Sequence, residues 1–202
     1  MSATEGGPPP DTYQEIMEAT YRAFCEHGYA DLTMRDIAAQ FEKSRSLLHY
    51  HYDTKQELIV ALLEHLVAAY DDEMRESLGA DPAADLRRFL EESLLGPDAP
   101  GFEFVEFHAA LLELRSQAHR NDAYREQLAA SQAVFQDLLA GIIRSGIEQG
   151  TFREVDPEAY ATLLLDAADG ARTRAITLGQ EAELDRAHET VVRQLVEPLM
   201  AD

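Results

Sequence analysis

Residues 32–58 read LTMRDIAAQFEKSRSLLHYHYDTKQEL, and this stretch decides the fold. Thr33-x-x-Asp36 and Thr54-x-x-Glu57 each set a hydroxyl and a carboxylate three residues apart. That is the capping-box spacing, or its Asp variant, in which both groups take up free amides of a first helical turn. After Thr33, apolar Met34, Ile37, Ala38 and Phe41 recur at helical spacing and predict a helix over 33–40. A break at Glu42-Lys43 follows, then a second short helix over 44–50 with Leu47 and Leu48 inside it. Two short helices joined by a tight turn make a helix-turn-helix, whose second helix enters the DNA major groove. That helix and its end hold Ser44, Arg45, Ser46, His49, Tyr50, His51 and Tyr52. Their hydroxyls, imidazoles and guanidinium reach phosphates or base edges without bulk positive charge. A solvated surface helix would also be polar, so the pattern alone does not decide. His49 and His51 are two apart and face different sides of a helix, so they do not pair as metal ligands.

Outward from this region the chain reads as all-α, with about nine helices. Thr12-x-x-Glu15 predicts another capping box, and Asp81-Pro82 and Asp156-Pro157 put an N-cap before a proline at the first helical position. Gly28, Gly79, Gly96, Gly150 and Gly179 are the expected stops. The expected helices span roughly 12–27, 33–40, 44–50, 54–78, 82–95, 102–118, 121–149, 157–178 and 182–200. Residues 1–10 read as a disordered tail.

The 202 residues carry 38 Asp+Glu against 17 Lys+Arg, a formal net charge of −21. Lysine occurs only at positions 43 and 55. Such a balance argues against a nucleic-acid binder, whose usual footprint is basic. Residues 11–66 hold 10 acidic and 5 basic groups, and residues 67–202 hold 27 and 12, so most of the excess acid lies away from the helix-turn-helix. An acid-rich, lysine-poor surface suits a salty cytoplasm. At 1 M salt the Debye length is about 3 Å, so repulsion from DNA would be short-ranged. No apolar run is long enough for a membrane span, and the first ten residues lack a signal-peptide pattern. A cytoplasmic protein with no membrane partner is expected. The single Cys25, on the apolar side of the first helix beside Phe24, reads as a small core residue rather than a redox sensor.

The chain resembles the TetR-type transcriptional regulators. The resemblance covers residues 13–66 and rests on ATYRAFCEHGY (19–29), LTMRDIA (32–38) and KSRSLLHYHYDTKQEL (43–58), in that order and spacing. It implies a homodimeric helical regulator with a DNA-binding domain over 11–66. It also implies an effector-binding and dimerisation domain over 67–202. The DNA contacts it implies are Thr33 and Arg35 on phosphate, Ser44, Arg45, Ser46 and Leu47 at the bases, and His49, Tyr50 and Lys55 on the backbone. Arg45 is suited to bidentate guanine reading, and Leu47 to a thymine methyl. Tyr52 stands where the family packs a Phe. Glu42-Lys43 departs from the usual Gly-Val of the turn and brings a carboxylate near DNA. Ser46-Leu47 departs from the usual Gly-Thr.

For the effector, apolar stripes at Phe104, Phe107, Leu111 and Leu114, and at Tyr124, Leu128, Phe135, Leu138 and Ile142, suit a pocket wall or a plain bundle core. His108 and Gln132 are the expected polar anchors, so the candidate lining is Phe104, Phe107, His108, Leu111, Gln132 and Phe135. Helices 157–178 and 182–200 are the expected dimer surface, through Tyr160, Leu163, Leu164, Ala167, Ala168, Ala171 and Ala175 and through Val191, Val192, Leu195, Val196 and Leu199. The expected activity is repression of a palindromic operator, released by a small molecule. No cofactor, metal or catalytic constellation is expected, since no nucleophile–base pairing, phosphate loop or metal-ligand spacing is present. The alternative is an interaction module with this fold that no longer binds DNA.

Overall fold

A computed structural model describes residues 8–41, 43 and 45–201. Residues 1–7 of the tail expected over 1–10, the turn residue Glu42 and the base-contact candidate Ser44 lie outside the described residues, and Pro10, expected in that tail, is the first residue of a helix. Among those described there are nine α-helices and no strand. They are α1 Pro10–Asp31, α2 Met34–Gln40, α3 Arg45–His51, α4 Lys55–Ser77, α5 Pro82–Leu95, α6 Phe104–Gln117, α7 Asp122–Glu148, α8 Pro157–Leu178 and α9 Leu184–Val191. None is long and apolar enough to cross a membrane.

The caps follow the expected chemistry with one correction. Thr33 and Asp36 form a reciprocal capping box on α2, Asp81 takes the amides of Ala83 and Ala84, and Asp156 takes that of Ala159. Thr12 caps nothing. Proline at the first turn starts α1 at Pro10, because its missing N–H costs nothing there. Thr12 is therefore inside the helix and buried, and its hydroxyl accepts from the Lys43 ammonium at 3.2 Å. Gly28 does break the first helix, as expected: at φ 68° and ψ 172° its backbone is not helical, and only a short helical run follows it to Asp31.

The described chain forms two compact units. The first takes the residues up to Leu66 together with Glu106–Leu128. Its core holds Ile16, Met17, Phe24, Ile37, Leu48, Leu58, Ile59 and Leu62, all nearly sealed from solvent. Each such side chain contributes about 1.5–3 kcal/mol by leaving water. The Phe107 ring of α6 joins this core, with its centroid 5.8 Å from Tyr21 and 5.9 Å from Phe24. Glu113 of α6 accepts from the Ala30 amide at 2.9 Å, and its carboxylate lies where a Cβ on Gly28 would stand 3.0 Å away.

The second unit takes Val67–Val105 and Ala129 onward. Leu86, Phe89, Leu90 and Leu94 of α5 pack with Leu138, Leu139 and Ile143 of α7, with Leu164 of α8, and with Val196 and Leu199. Arg172 of α8 pairs with Asp169 and donates to the Ser93 carbonyl of α5 at 2.6 Å. The last expected helix, 182–200, is not one helix. A 3₁₀ turn over Glu181–Glu183 precedes α9, a π segment spans Val192–Val196, and a 3₁₀ turn ends it over Glu197–Leu199. Pro198 has no amide for the Gln194 carbonyl, so regular α winding cannot run through it. The chain end returns to the α7–α8 connection, where the Arg153 amide donates to the Leu199 carbonyl and the Ala201 amide to the Thr151 carbonyl, each at 2.9 Å.

Candidate functional site

Leu48 anchors α3. It is fully buried and orients the seven-residue helix, leaving Arg45, Ser46, His49 and Tyr50 exposed on the other side. Positions 45 and 49 form one row and 46 and 50 the next, as i, i+4 spacing requires. The Arg45 Nε donates to His49 Nε2 at 3.4 Å, which couples the two along their row. Tyr50 is 71 % exposed and meets the His51 ring edge-on at 4.9 Å. Leu47 is half-buried. Tyr52 is half-buried near Tyr13 and Glu64, and its phenol is pushed up to about 12, chiefly by burial.

The other expected contacts differ in how they are held. The Thr33 hydroxyl donates to the Asp36 carboxylate at 2.5 Å and accepts from the Asp36 amide at 3.3 Å. Asp36 in turn lies below the usual carboxylate range, chiefly through its hydrogen bond with Thr33. Arg35 is exposed beside this cap. Lys55 donates to the Tyr29 carbonyl at 2.9 Å and stands 4.3 Å over the Tyr29 ring centroid. Burial lowers its ammonium pKa, while Asp31 and Glu113 act the other way. Lys43 pairs with Glu15 at 2.9 Å. Both lysines are thus engaged within the first unit, Lys43 at its surface, and Arg35 and Arg45 are exposed on α2 and α3.

Sequence reasoning missed what Tyr29 does. Its hydroxyl meets that of Tyr124 at 3.1 Å, and the Tyr124 phenol, raised by burial, is almost fully enclosed. Asn121 donates to Gln56 at 2.7 Å nearby. These partners lie 65 to 95 residues apart in the chain, so no local pattern signals them.

The six effector candidates are divided between the units. Phe107, His108 and Leu111 belong to the first, where Phe107 lies edge-on to His108 at 5.2 Å. Phe104, Gln132 and Phe135 belong to the second. Phe104 rests against Gly96, where a Cβ would come within 2.9 Å of its ring. Phe135 meets Tyr70 at 5.7 Å and Phe89 at 6.5 Å. Of the small-residue face on α8, Leu164, Ala168, Ala171 and Ala175 are buried within the second unit. Leu163, Asp166, Gly170, Arg174, Thr177 and Leu178 are exposed along another stripe. An open groove of about 840 Å³ runs beside that stripe, lined by Asp166, Gly170, Arg174, Glu183 and Arg186 among others.

Comparison with known proteins agrees with this arrangement. Residues 16–62 match the family described as bacterial regulatory proteins, tetR family, and residues 107–191 match the tetracyclin repressor-like C-terminal domain. The chain is 35 % identical over 188 residues to the HTH-type transcriptional regulator TtgR of Pseudomonas putida, covering 86 % of this chain and 84 % of that protein. It is 26 % identical to the HTH-type transcriptional repressor AcnR of Corynebacterium glutamicum, covering 95 % and 98 %. The crystal structure of a TetR transcription regulator from Haloarcula marismortui superposes with a TM-score of 0.82 at 38 % identity, covering 95 % of this chain and 99 % of that one. A capped α2, an α3 anchored by one leucine, and both halves matched in order have one reading: the chain belongs to the TetR family of bacterial transcriptional regulators.

Proposed function

We propose that the protein is a homodimeric repressor that binds a palindromic operator through α3 and leaves it when a small molecule binds the second unit. The observation that carries this is the exposed row pair Arg45/His49 and Ser46/Tyr50 on a helix held by buried Leu48. Arg45 reads a guanine, Ser46, His49 and Tyr50 contact neighbouring bases or phosphates, and Arg35 contacts phosphate. The repressor mode follows the function named for relatives such as AcnR. The α8 stripe at Leu163, Gly170 and Thr177 supports pairing with a second copy, since small residues let helices approach and Leu163 is 47 % exposed. A dimer is needed to hold two half-sites one helical turn apart. Helix α4 contributes residues to both units, so an effector that favours one placement of α4 lowers operator affinity by its differential affinity for the two states.

The acid-rich composition supports operation at high salt. There, counterion release contributes little, and close hydrogen bonds and shape must carry affinity. A mobility-shift titration on the DNA upstream of the protein's own gene, across salt concentrations, tests the whole reading. A specific shift that persists at salt levels releasing a basic regulator is expected. No specific shift at any salt would leave the interaction-module alternative standing in its place.

A further inference from the structure

Helix α8 turns two faces in opposite directions. Leu164, Ala168, Ala171 and Ala175 are buried in the core of the second unit. Leu163, Asp166, Gly170, Arg174 and Thr177 are exposed, and at about 100° per residue they all fall within about 40° of Gly170 around the helix. Open grooves of about 840 Å³ and about 450 Å³ lie along this stripe, the first also lined by Glu183, Arg186 and Thr190. Of the four large hydrophobic side chains exposed among the described residues, Leu163 and Leu178 belong to this one helix, at 47 % and 59 %. Gly170 sits mid-helix, where glycine weakens the helix relative to alanine. A Cβ there would meet nothing within 4 Å, so packing inside the protomer gives no reason for the glycine. Asp166 and Arg174 stand four residues to either side of it. Neither side chain forms an ion pair or hydrogen bond among the described residues. They are about 12 Å apart along the axis, too far to pair with each other.

The charges of this stripe fit a second copy of the same chain, and in one orientation. Two α8 helices related by a two-fold axis run either parallel or antiparallel. Parallel packing sets Asp166 on the partner's Asp166 and Arg174 on the partner's Arg174, like charge on like. Antiparallel packing centred on Gly170 sets residues equally far before and after it opposite each other. Asp166 then meets the partner's Arg174, Arg174 meets the partner's Asp166, and Leu163 meets the partner's Thr177. The bare Gly170 lets the two helices approach closely where they cross. The ion pairs flank that crossing about 6 Å to either side along the axis. One Asp and one Arg also leave the stripe neutral, on a chain whose formal net charge is −21. Two such chains repel each other in general, and contact is favoured where local charge is balanced. We propose that Asp166 and Arg174 are the partner-selecting residues of α8: each reaches across the crossing at Gly170 to its opposite in a second copy, and the two swapped pairs fix an antiparallel register. This rests on the reading of the protein as a homodimer and names what restricts pairing to copies of this chain. A helix of similar shape that lacks the swapped charges leaves one of these groups unpaired or facing its own sign.

Sedimentation equilibrium of the full chain tests this, at the lowest salt that leaves the wild-type circular dichroism unchanged, where screening of the charges is least. The wild type should be a dimer. Asp166→Arg sets an arginine against the partner's Arg174, and Arg174→Asp sets an aspartate against the partner's Asp166. Each variant alone should raise the dimer dissociation constant at least about tenfold. An equimolar mixture of the two variants should recover dimers, because each chain now carries the charge that the other lacks. Native mass spectrometry with one variant tagged should show those dimers to be mixed. The double variant, Asp166→Arg with Arg174→Asp, should dimerise like the wild type. Both residues are exposed, and circular dichroism checks that every variant is folded. A role confined to one chain cannot be rescued by mixing two defective chains. If the wild type is a dimer but the single variants dimerise as well as it does, or their mixture stays monomeric, the homodimer reading stands and this pairing falls. A wild type that is monomeric at every concentration overturns both.

Discussion

Lys55 and Tyr29 hold one another across the first unit: the ammonium donates to the Tyr29 carbonyl at 2.9 Å and sits 4.3 Å over the ring. The same Tyr29 places its hydroxyl on Tyr124 at the start of α7. The start of α4, the end of α1 and the start of α7 thus share one polar contact set around a residue of α1. Lys55→Met removes the hydrogen bond and the cation–ring contact together. A loss of about 1–2 kcal/mol in unfolding free energy is expected by urea denaturation. An unchanged midpoint would mean that the contact set contributes nothing.

At the α2 cap the sign of the pH effect follows from Asp36. Its folded pKa lies below the ordinary value, so it stabilises the fold fully above the unfolded carboxylate pKa. That contribution disappears as pH falls through the lowered folded value. The wild-type advantage over Asp36→Asn in urea midpoint should therefore be constant from neutral pH down to about pH 5 and shrink below about pH 4. A constant difference down to pH 3 would contradict the assignment.

Gly146 and Gly141 lie on the same helix and should respond oppositely to alanine. A Cβ at Gly146 would stand 2.0 Å from the Phe152 ring, which is buried where the chain end returns. Gly146→Ala is expected to cost about 1–3 kcal/mol by overpacking. At Gly141 nothing lies within 4 Å of the added carbon, so Gly141→Ala should raise stability by up to about 1 kcal/mol through helix propensity. Thermal melts of the two variants check both signs.

On DNA, Arg45→Ala should weaken operator binding about 10- to 100-fold and relax preference at one base pair, as loss of a bidentate guanine contact does. Arg35→Ala should weaken all sequences alike and flatten the salt slope by about one. Binding isotherms on operator and scrambled duplexes distinguish the two. An Arg45→Ala effect equal on both duplexes would make Arg45 a phosphate contact.

Local chemistry explains why much of the fold was readable. Thr33-x-x-Asp36, Asp81-Pro82 and Asp156-Pro157 act within one helical turn, so their meaning survives any tertiary context. Thr12 misled because Pro10, two residues earlier, already suits the first turn. The effector candidates were harder. An apolar stripe shows that Phe107 and Phe135 face inward, but not that one joins Phe24 and the other Tyr70.

The sequence by itself determined the helices, the helix-turn-helix and the family, because caps, 3.6-residue periodicity and ordered motifs are properties of neighbouring residues. It also showed that α3 is rich in polar groups able to reach DNA. Only the tertiary structure decided that Lys43 is tied to Glu15 and Lys55 to Tyr29, and that four of the seven residues named on the α8 face are core. Those outcomes depend on which helix packs beside which, and contacts between residues tens of positions apart leave no periodic trace along the chain.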